Sequence, residues 1–427
     1  DDDDDDDDPA PRRSTRVRTQ RQVYDGRGGS EVPSAKGNVE VAAAMEDCLF
    51  GIDDGTAPKN WDEAKLDPAW VKATEEEISA LEKNNTWRII PRRPNMKVIG
   101  VKTIYRQKLN KDGSPGRKKA RVVAKGYTQY GVSFKDRYAP TLRIASLRAV
   151  LALAQVKKRK ALSADINNAY LHGPENNEVY MEIPESLRDK YDPDEWVTEL
   201  LKSLYGTKTA GNNWNKCIDA YMRAHGYKRC RSDPCVYYNR KKDIIVCIYV
   251  DDIVCVPARE KDGYKFFKGL DAEYGIKDVG ELDYVLGMEV KKVEDDLVLT
   301  QEAYAKRILA DFKMQDCKGV TTPMAPSVRI TKDEEGPGSD QERYRSIVGK
   351  IAYLATCTRP DLAYTVSKLS RYLNNPKRSH MLAVMYALRY IKRTSDYGLR
   401  FPQGETTMEM YVDADHAGCL DTRRSTS

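Results

Sequence analysis

Apolar positions along the chain follow two periods, and the places where one gives way to the other mark its elements. Trp70, Ala73, Ile78 and Leu81 fall at helical spacing and predict a helix that stops at the Asn84-Asn85 turn. Alternation takes over in 87–90 and 98–105, the signature of strands. Lys111-Asp112-Gly113-Ser114-Pro115 is turn chemistry, so 101–109 and 119–127 are expected to pair as a hairpin. Leu147, Val150, Leu151 and Leu153 give an apolar stripe to a helix over 142–156. Ala161-Leu162 leads into a strand that is expected to end at Asp165 and turn into a helix. Two short runs rich in β-branched residues, 243–250 and 253–257, suit buried strands and are too short to cross a bilayer. They flank the adjacent carboxylates Asp251 and Asp252. Apolar or aromatic residues at 304, 308, 309 and 312 predict an amphipathic helix; 347–356, 360–373 and 379–394 read as three more.

The N-terminal stretch lacks this periodicity. Residues 9–59 are rich in Arg, Gly, Pro and Ser and read as a linker, preceded by an Asp1 to Asp8 run that repels itself. That run masks the charge of the rest. The whole chain of 427 residues carries +6, but without the eight Asp the balance is +14, 71 basic against 57 acidic residues. A positive excess of this size suits a polyanionic partner. Nine Cys with no Cys-x-x-Cys pair and only four His argue against a zinc site and for reduced thiols inside a cell. With no secretory or membrane-spanning pattern, the expectation is an intracellular protein, in a cytoplasmic particle or the nucleus, with no membrane partner. The chain starts with Asp and stops inside a recognisable motif at Ser427, so a longer parent is expected.

Two carboxylates at one tight turn repel, and a divalent cation relieves the repulsion. Asp is also common in turns because its side chain bonds its own backbone, so Asp251-Asp252 taken alone reads first as an ordinary turn. Asp165 on a second strand changes the balance. Two-metal phosphoryl transfer needs carboxylates from neighbouring strands to hold ions ~3.5–4 Å apart, and Asp165 with Asp251 and Asp252 would supply them.

Tyr249-Val250-Asp251-Asp252, with Asp165 upstream and an aromatic five residues after it, resembles a reverse transcriptase. The surrounding words resemble the copia-type branch of LTR retrotransposon polyproteins, in that family's order from about Trp61 to the end. Among them are Lys119-Ala-Arg-Val-Val-Ala-Lys-Gly-Tyr-Thr-Gln129, Ala169-Tyr-Leu-His-Gly173, Leu204-Tyr-Gly206, Ser232-Asp-Pro-Cys235, Leu286-Gly287, Arg359-Pro-Asp361 and Tyr411-Val-Asp-Ala-Asp415.

The resemblance implies an α+β right-hand polymerase, with fingers and a ferredoxin-like palm over 60–290 and a thumb-like helical segment over 291–325. A linker at 326–343, connection helices over 344–405 and a truncated ribonuclease H start at 406–427 would follow. It implies RNA- and DNA-templated DNA synthesis with two Mg²⁺ (or Mn²⁺) ions on Asp165 and Asp251, assisted by Asp252. The partners would be a primed RNA or DNA template and deoxynucleoside triphosphates. Tyr170 would be a steric gate against the 2′-hydroxyl, or else an ordinary core aromatic. Arg121 and Lys125 would meet triphosphate and template, or simply lie on a solvated strand face. Gly206 and Lys208 would contact the nucleotide and template, and Tyr249, Val250, Leu286 and Gly287 the primer. Asp413 takes the position of the first ribonuclease H ligand, but without its partner ligands no cleavage of RNA–DNA hybrids is expected. The chain departs from the family pattern at Asn167, Thr209, Gly211 and Asn212, where Lys, Gln, Pro and Arg are usual. The competing expectation is a decayed or host-retained copy that binds nucleic acid without synthesising DNA.

Overall fold

A computed structural model describes residues 57–109, 115–326, 328–332, 336–404, 407, 409–413, 416, 418–423 and 425. Residues 1–56, and with them most of the expected linker, lie outside the described set. The chain builds a mixed α+β fold. Helix α1 (Trp61–Ala64) is followed by α2 (Pro68–Lys83), whose N-cap Asp67 accepts from the Ala69 amide and whose Pro68 suits the first helical position. Its buried stripe of Trp70, Ala73, Ile78 and Leu81 is the one that the spacing predicts, and Asn84 caps it. Strands β1 (Trp87–Pro91) and β2 (Val98–Ile99) lead to a long hairpin, β3 (Val101–Leu109) and β4 (Pro115–Ala124). The second hairpin strand ends three residues earlier than the sequence suggests, because 126–128 closes into a 3-10 turn.

Helices α3 (Phe134–Arg137) and α4 (Ile144–Val156) precede β5 (Leu162–Ile166). The strand runs one residue past Asp165, and in place of the expected helix comes a single 3-10 turn, Ala169–His172, entered through a left-handed Asn168. Strands β6 (Tyr180–Met181) and β7 (Trp196–Leu200) complete a four-stranded sheet in the order β1-β7-β6-β2.

The central sheet comes next. Helix α5 (Ala210–Ala224) and strands β8 (Lys228–Arg229), β9 (Val236–Asn239), β10 (Ile244–Tyr249) and β11 (Asp252–Pro257) precede α6 (Glu260–Tyr274) and β12 (Ile276–Glu281). The order is β12-β5-β11-β10-β9-β8, antiparallel throughout. Period-two alternation sorts the two faces. Leu162, Ala164, Ile166, Val246, Ile248, Ile253 and Cys255 pack under Trp214, Ile218 and Met222 of α5 and Phe266, Phe267 and Leu270 of α6. Cys247, Val254 and Val256 point the other way, into a larger core with Leu147 and Leu151 of α4. Each buried Val, Leu or Ile contributes roughly 1.5–3 kcal/mol.

That larger core runs on to the C-terminal part. Strands β13 (Tyr284–Val285), β14 (Met288–Val293) and β15 (Asp296–Thr300), then α7 (Glu302–Asp311), α8 (Gln341–Cys357), α9 (Ala363–Leu369) and α10 (Arg378–Arg393), share it, and β16 (Gly398–Phe401) returns to pair with β15. The single helix expected over 360–373 is broken into α9 with a 3-10 turn on each side. The expected linker 326–343 is no free spacer: Ile330 is buried in the core and its carbonyl accepts from the Tyr372 hydroxyl at 2.8 Å. No strand forms over the described residues of 408–413. Met410, Tyr411 and Val412 are 80%, 88% and 80% exposed, with no described strand beside them to complete a ladder.

Candidate active site

The β10–β11 hairpin closes through a two-residue turn, Val250-Asp251, with Tyr249 paired to Asp252. Val250 has φ +55°, a left-handed conformation that a β-branched side chain adopts only at a cost. Two hydrogen bonds hold the turn there. Trp214 Nε1 of α5 donates to the Val250 carbonyl (2.8 Å), and the Ile166 amide donates to the Asp251 carbonyl (2.8 Å).

Register brings the other residues alongside. Asp252 lies directly opposite Asp165, and Lys277 of β12 lies opposite Asp165 on its other side. Directly opposed residues of antiparallel strands share a face. Tyr249, Asp252, Asp165 and Lys277 therefore form a row across four strands, with Asp251 at its tip. Asp165 Oδ2 is 3.0 Å from Lys277 Nζ, while Oδ1 is buried and has no hydrogen-bond partner among the described residues. Burial, and then the charge of Asp165, push the Asp251 carboxyl above the usual carboxylate range; a hydrogen bond from its own backbone, then Arg121 and Lys277, only partly oppose this.

Arg121 arrives from β4 and lies over the Tyr205 ring, 4.8 Å from its centroid. Tyr205 meets Tyr170 edge to face at 5.5 Å. Burial raises all three tyrosines of the site: Tyr205 strongly, Tyr170 with help from Asp251, and Tyr249 to about 12 with Tyr170 and the two Asp adding to it. They are neutral phenols at physiological pH. Tyr170 is half-buried and also borders a cavity of about 60 Å³ lined by Pro140, Gly211, Trp214, Ile248 and Val250, among others.

The remaining candidates fall into three groups. Lys125 is exposed, whereas neighbouring Arg117 and Lys118 pair with Glu76 and Asp67 of α2. Gly206 (φ +88°) seats against the end of β4, where an added Cβ would lie 2.2 Å from the Ala124 carbonyl oxygen. Lys208 faces inward: its ammonium donates to the Tyr127 and Gln129 carbonyls at 3.1 and 2.7 Å. Leu286 and Gly287 form the β13–β14 turn with φ +47° and +74°, both buried, and the Leu286 carbonyl accepts from Tyr353 at 2.7 Å. Asp413 is exposed in the C-terminal segment, whose described residues beyond 401 form no strand.

The departures are built into the fold. Thr209 donates to Glu175 (2.5 Å), Asn212 donates to the Lys135 and Tyr138 carbonyls, and a Cβ at Gly211 would come within 3.0 Å of Ala139. Lys277, Tyr205 and Trp214 are the residues that sequence reasoning missed. Tyr205 sits inside the Leu204-Tyr-Gly206 motif and Trp214 on the helix just beyond it, so both had a local signal. Lys277 has none, since only strand register brings it to Asp165.

Among the described residues no three Asp, Glu, His or Cys side chains form a ready cage for a metal ion. Mg²⁺ needs no such cage, because it is bound through one or two carboxylates with the substrate's phosphates. The orphaned Asp165 Oδ1 and the strained charge of Asp251 fit an ion of that kind.

This is an acidic site on an antiparallel sheet, carried by a mixed α+β chain. The chain belongs to the reverse transcriptase (RNA-dependent DNA polymerase) family, whose model matches residues 84–326, and to its copia-type retrotransposon branch. It is 34% identical over 392 residues to the retrovirus-related Pol polyprotein from transposon TNT 1-94 of Nicotiana tabacum, covering 88% of this chain and 29% of that polyprotein. The corresponding polyprotein from transposon RE1 of Arabidopsis thaliana is 35% identical over 400 residues, 92% of this chain and 26% of the relative. A putative transposon Ty5-1 protein of Saccharomyces cerevisiae is 28% identical over 266 residues, 61% of this chain and 86% of its own length. The chain thus spans under a third of the two Pol polyproteins.

Proposed function

We propose that the chain is the DNA-synthesising part of a copia-type retrotransposon polyprotein, copying RNA and DNA templates. One observation carries the reading: Asp165 and Asp252 are opposed across two strands with Asp251 at the turn beside them, and one oxygen of Asp165 is buried and unpartnered. In this reading the six-stranded sheet with α5 and α6 is the palm. The β3–β4 hairpin with α2 and the four-stranded sheet are the fingers, and 291–325 is the thumb. Residues 326–343 join it to connection helices over 344–405, and 406–427 begin a ribonuclease H region with Asp413 its first ligand.

Asp165 and Asp251 would hold two Mg²⁺ ions, which when bound supply the charge that activates the primer hydroxyl and steadies the leaving pyrophosphate. Asp252 keeps the shared face acidic. Arg121, held by Tyr205, offers a cation beside the carboxylates where the triphosphate must sit, and Lys125 offers a second one at the exposed end of β4. Tyr170, braced edge-on by Tyr205, stands where a 2′-hydroxyl would collide. Tyr249 and the strained Val250 support the primer terminus. The buried Leu286-Gly287 turn shapes the primer side from below, and Gly206 brings the backbone of its turn close to the template base. Lys208 braces the loop beside them through its two carbonyls.

The test is primer extension on poly(rA)–oligo(dT) with Mg²⁺. The parent extends; Asp251→Asn does not, while its affinity for the duplex stays within a few-fold, because phosphate contacts carry most of the binding. The second reading, a chain that binds without synthesis, draws on the Asp165–Lys277 ion pair, which balances charge without a metal, and on Thr209, Gly211 and Asn212. A parent that binds primed template yet adds no nucleotide would decide for it.

A further inference from the structure

Four aromatic side chains within twelve residues, Tyr127, Tyr130, Phe134 and Tyr138, are 77%, 76%, 81% and 61% exposed. Single exposed rings need no explanation, but a run of them on one segment marks a binding surface. The backbone beneath is fixed. Lys208 ties the Tyr127 and Gln129 carbonyls, Arg137 donates to the Val132 carbonyl at 2.7 Å, and Asn212 donates to the Tyr138 carbonyl at 2.6 Å. A held backbone carrying solvent-facing rings is pre-organised to bind flat ligands at little entropic cost.

Two further features name the ligand. Gln129, between the first two rings, is only 6% exposed and lines a groove of about 380 Å³ with Lys97, Tyr130, Gly131, Asn177 and Glu178. Its Oε1 accepts from the Lys208 amide at 2.9 Å, but its Nε2 is buried with no partner among the described residues. A buried donor without a partner costs free energy until a ligand accepts from it. Cations outnumber carboxylates around it: Lys97 lies over Tyr130 at 5.7 Å, Lys125 just precedes the segment and Lys135 and Arg137 stand on it, against Asp136, which Ser133 already engages at 2.7 Å, and Glu178 in the groove.

We propose that 127–138 is a stacking rail for an unpaired nucleic-acid strand. Bases lie on Tyr127, Tyr130, Phe134 and Tyr138, Gln129 Nε2 donates to an acceptor in the groove, and Lys97 and Lys135 meet phosphates. Rings with cations and no base-edge code give sequence-tolerant binding. The rail ends beside Ala139 and Pro140, which line the same cavity as Tyr170 and Val250, so the strand would run toward the carboxylates. Naming that strand as the template rests on the polymerase reading; the binding itself does not.

The test compares the full chain on a blunt duplex and on the same duplex with an unpaired 5′ template overhang, by fluorescence anisotropy at fixed salt. The parent is expected to bind the overhung duplex more tightly. Tyr130→Ala with Phe134→Ala should cut that gain about tenfold and leave blunt-duplex affinity unchanged, while Phe134→Trp keeps it. The inference is overturned if the parent shows no gain, if the double variant keeps it, or if both duplexes weaken equally. It is equally overturned if the substitutions only dissociate a self-associated chain. Primer extension scored in parallel separates the two readings. Rail-dependent binding without extension removes the polymerase reading alone, and extension with a rail-insensitive gain removes this one alone.

Discussion

Burial and the neighbouring charge of Asp165 both make ionised Asp251 unwelcome in the folded chain, and this has a measurable sign. Its folded pKa lies above the unfolded value of about 3.9. The favourable contribution of its protonated form is therefore complete below that value and is lost as pH rises through the folded pKa. In metal-free buffer at neutral pH, Asp251→Asn should melt higher than the parent, and the gap should close as pH falls below about 4. Mg²⁺ should raise the melting temperature of the parent by more than that of the variant, because the variant has lost one of the carboxylates proposed to hold the ions. Thermal melts across pH with and without Mg²⁺ check both; equal melting at neutral pH would remove the repulsion from the account. Tyr170 invites a second comparison. As a gate, Tyr170→Ala raises ribonucleotide incorporation by an order of magnitude or more. As a mere core ring, it costs roughly 3–5 kcal/mol with sugar selectivity unchanged. The half-buried ring, packed on Tyr205 and bordering a cavity, leads us to expect both the gain in ribonucleotide use and a smaller stability loss.

At the scale of elements, the site hangs on backbone conformations that ordinary residues resist. Gly206 needs its positive φ, and an added Cβ would meet both the Ala124 carbonyl and Val123. By contrast, Gly280 has nothing within 4 Å of such an atom. Gly206→Ala should therefore cost upwards of ~2 kcal/mol and Gly280→Ala well under ~1 kcal/mol, as read by urea melts. These conformations also mark how far the sequence could be read. The strands around Asp251-Asp252 and the helix of Trp70 to Leu81 were legible because one-sided burial imposes a period on local sequence. The left-handed Val250 and Leu286 were not, since nothing in a β-branched or leucine side chain announces a positive φ. Lys277 escaped for another reason: it reaches Asp165 through a strand pairing more than a hundred residues apart, which no window along the chain contains. The strand that the family resemblance implies over 408–413 is absent from its described residues, 409–413, beside which no described strand lies.

At the scale of the molecule, the family match and the physical core end in different places. The match stops at residue 326, yet Val285, Leu286, Met288, Ile308 and Leu309 are buried in one cluster with Tyr344, Ile347, Ile351, Leu388 and Ile391 from beyond it. Strand β16 pairs with β15, the Tyr353 hydroxyl reaches back to the Leu286 carbonyl, and buried Arg359 locks α8 to the end of α10 through Thr394. The C-terminal segment adds a further tie, with Asp421 accepting from the Lys332 amide at 2.8 Å. A protein cut after residue 326 would expose at least those five apolar side chains, at roughly 1.5–3 kcal/mol each, comparable with the whole stability of a typical domain. It should bind hydrophobic dyes and lose a cooperative melt, whereas one cut after 404 should keep both compactness and cooperativity. The Leu286-Gly287 turn, proposed above to shape the primer side, belongs to this shared core, so on that proposal the shorter protein should also lose primer extension even with Asp165, Asp251 and Asp252 intact. Cooperative melting of the 326-residue protein, with extension at the parent's rate, would show that 344–405 is an independent appendage rather than the other half of the core.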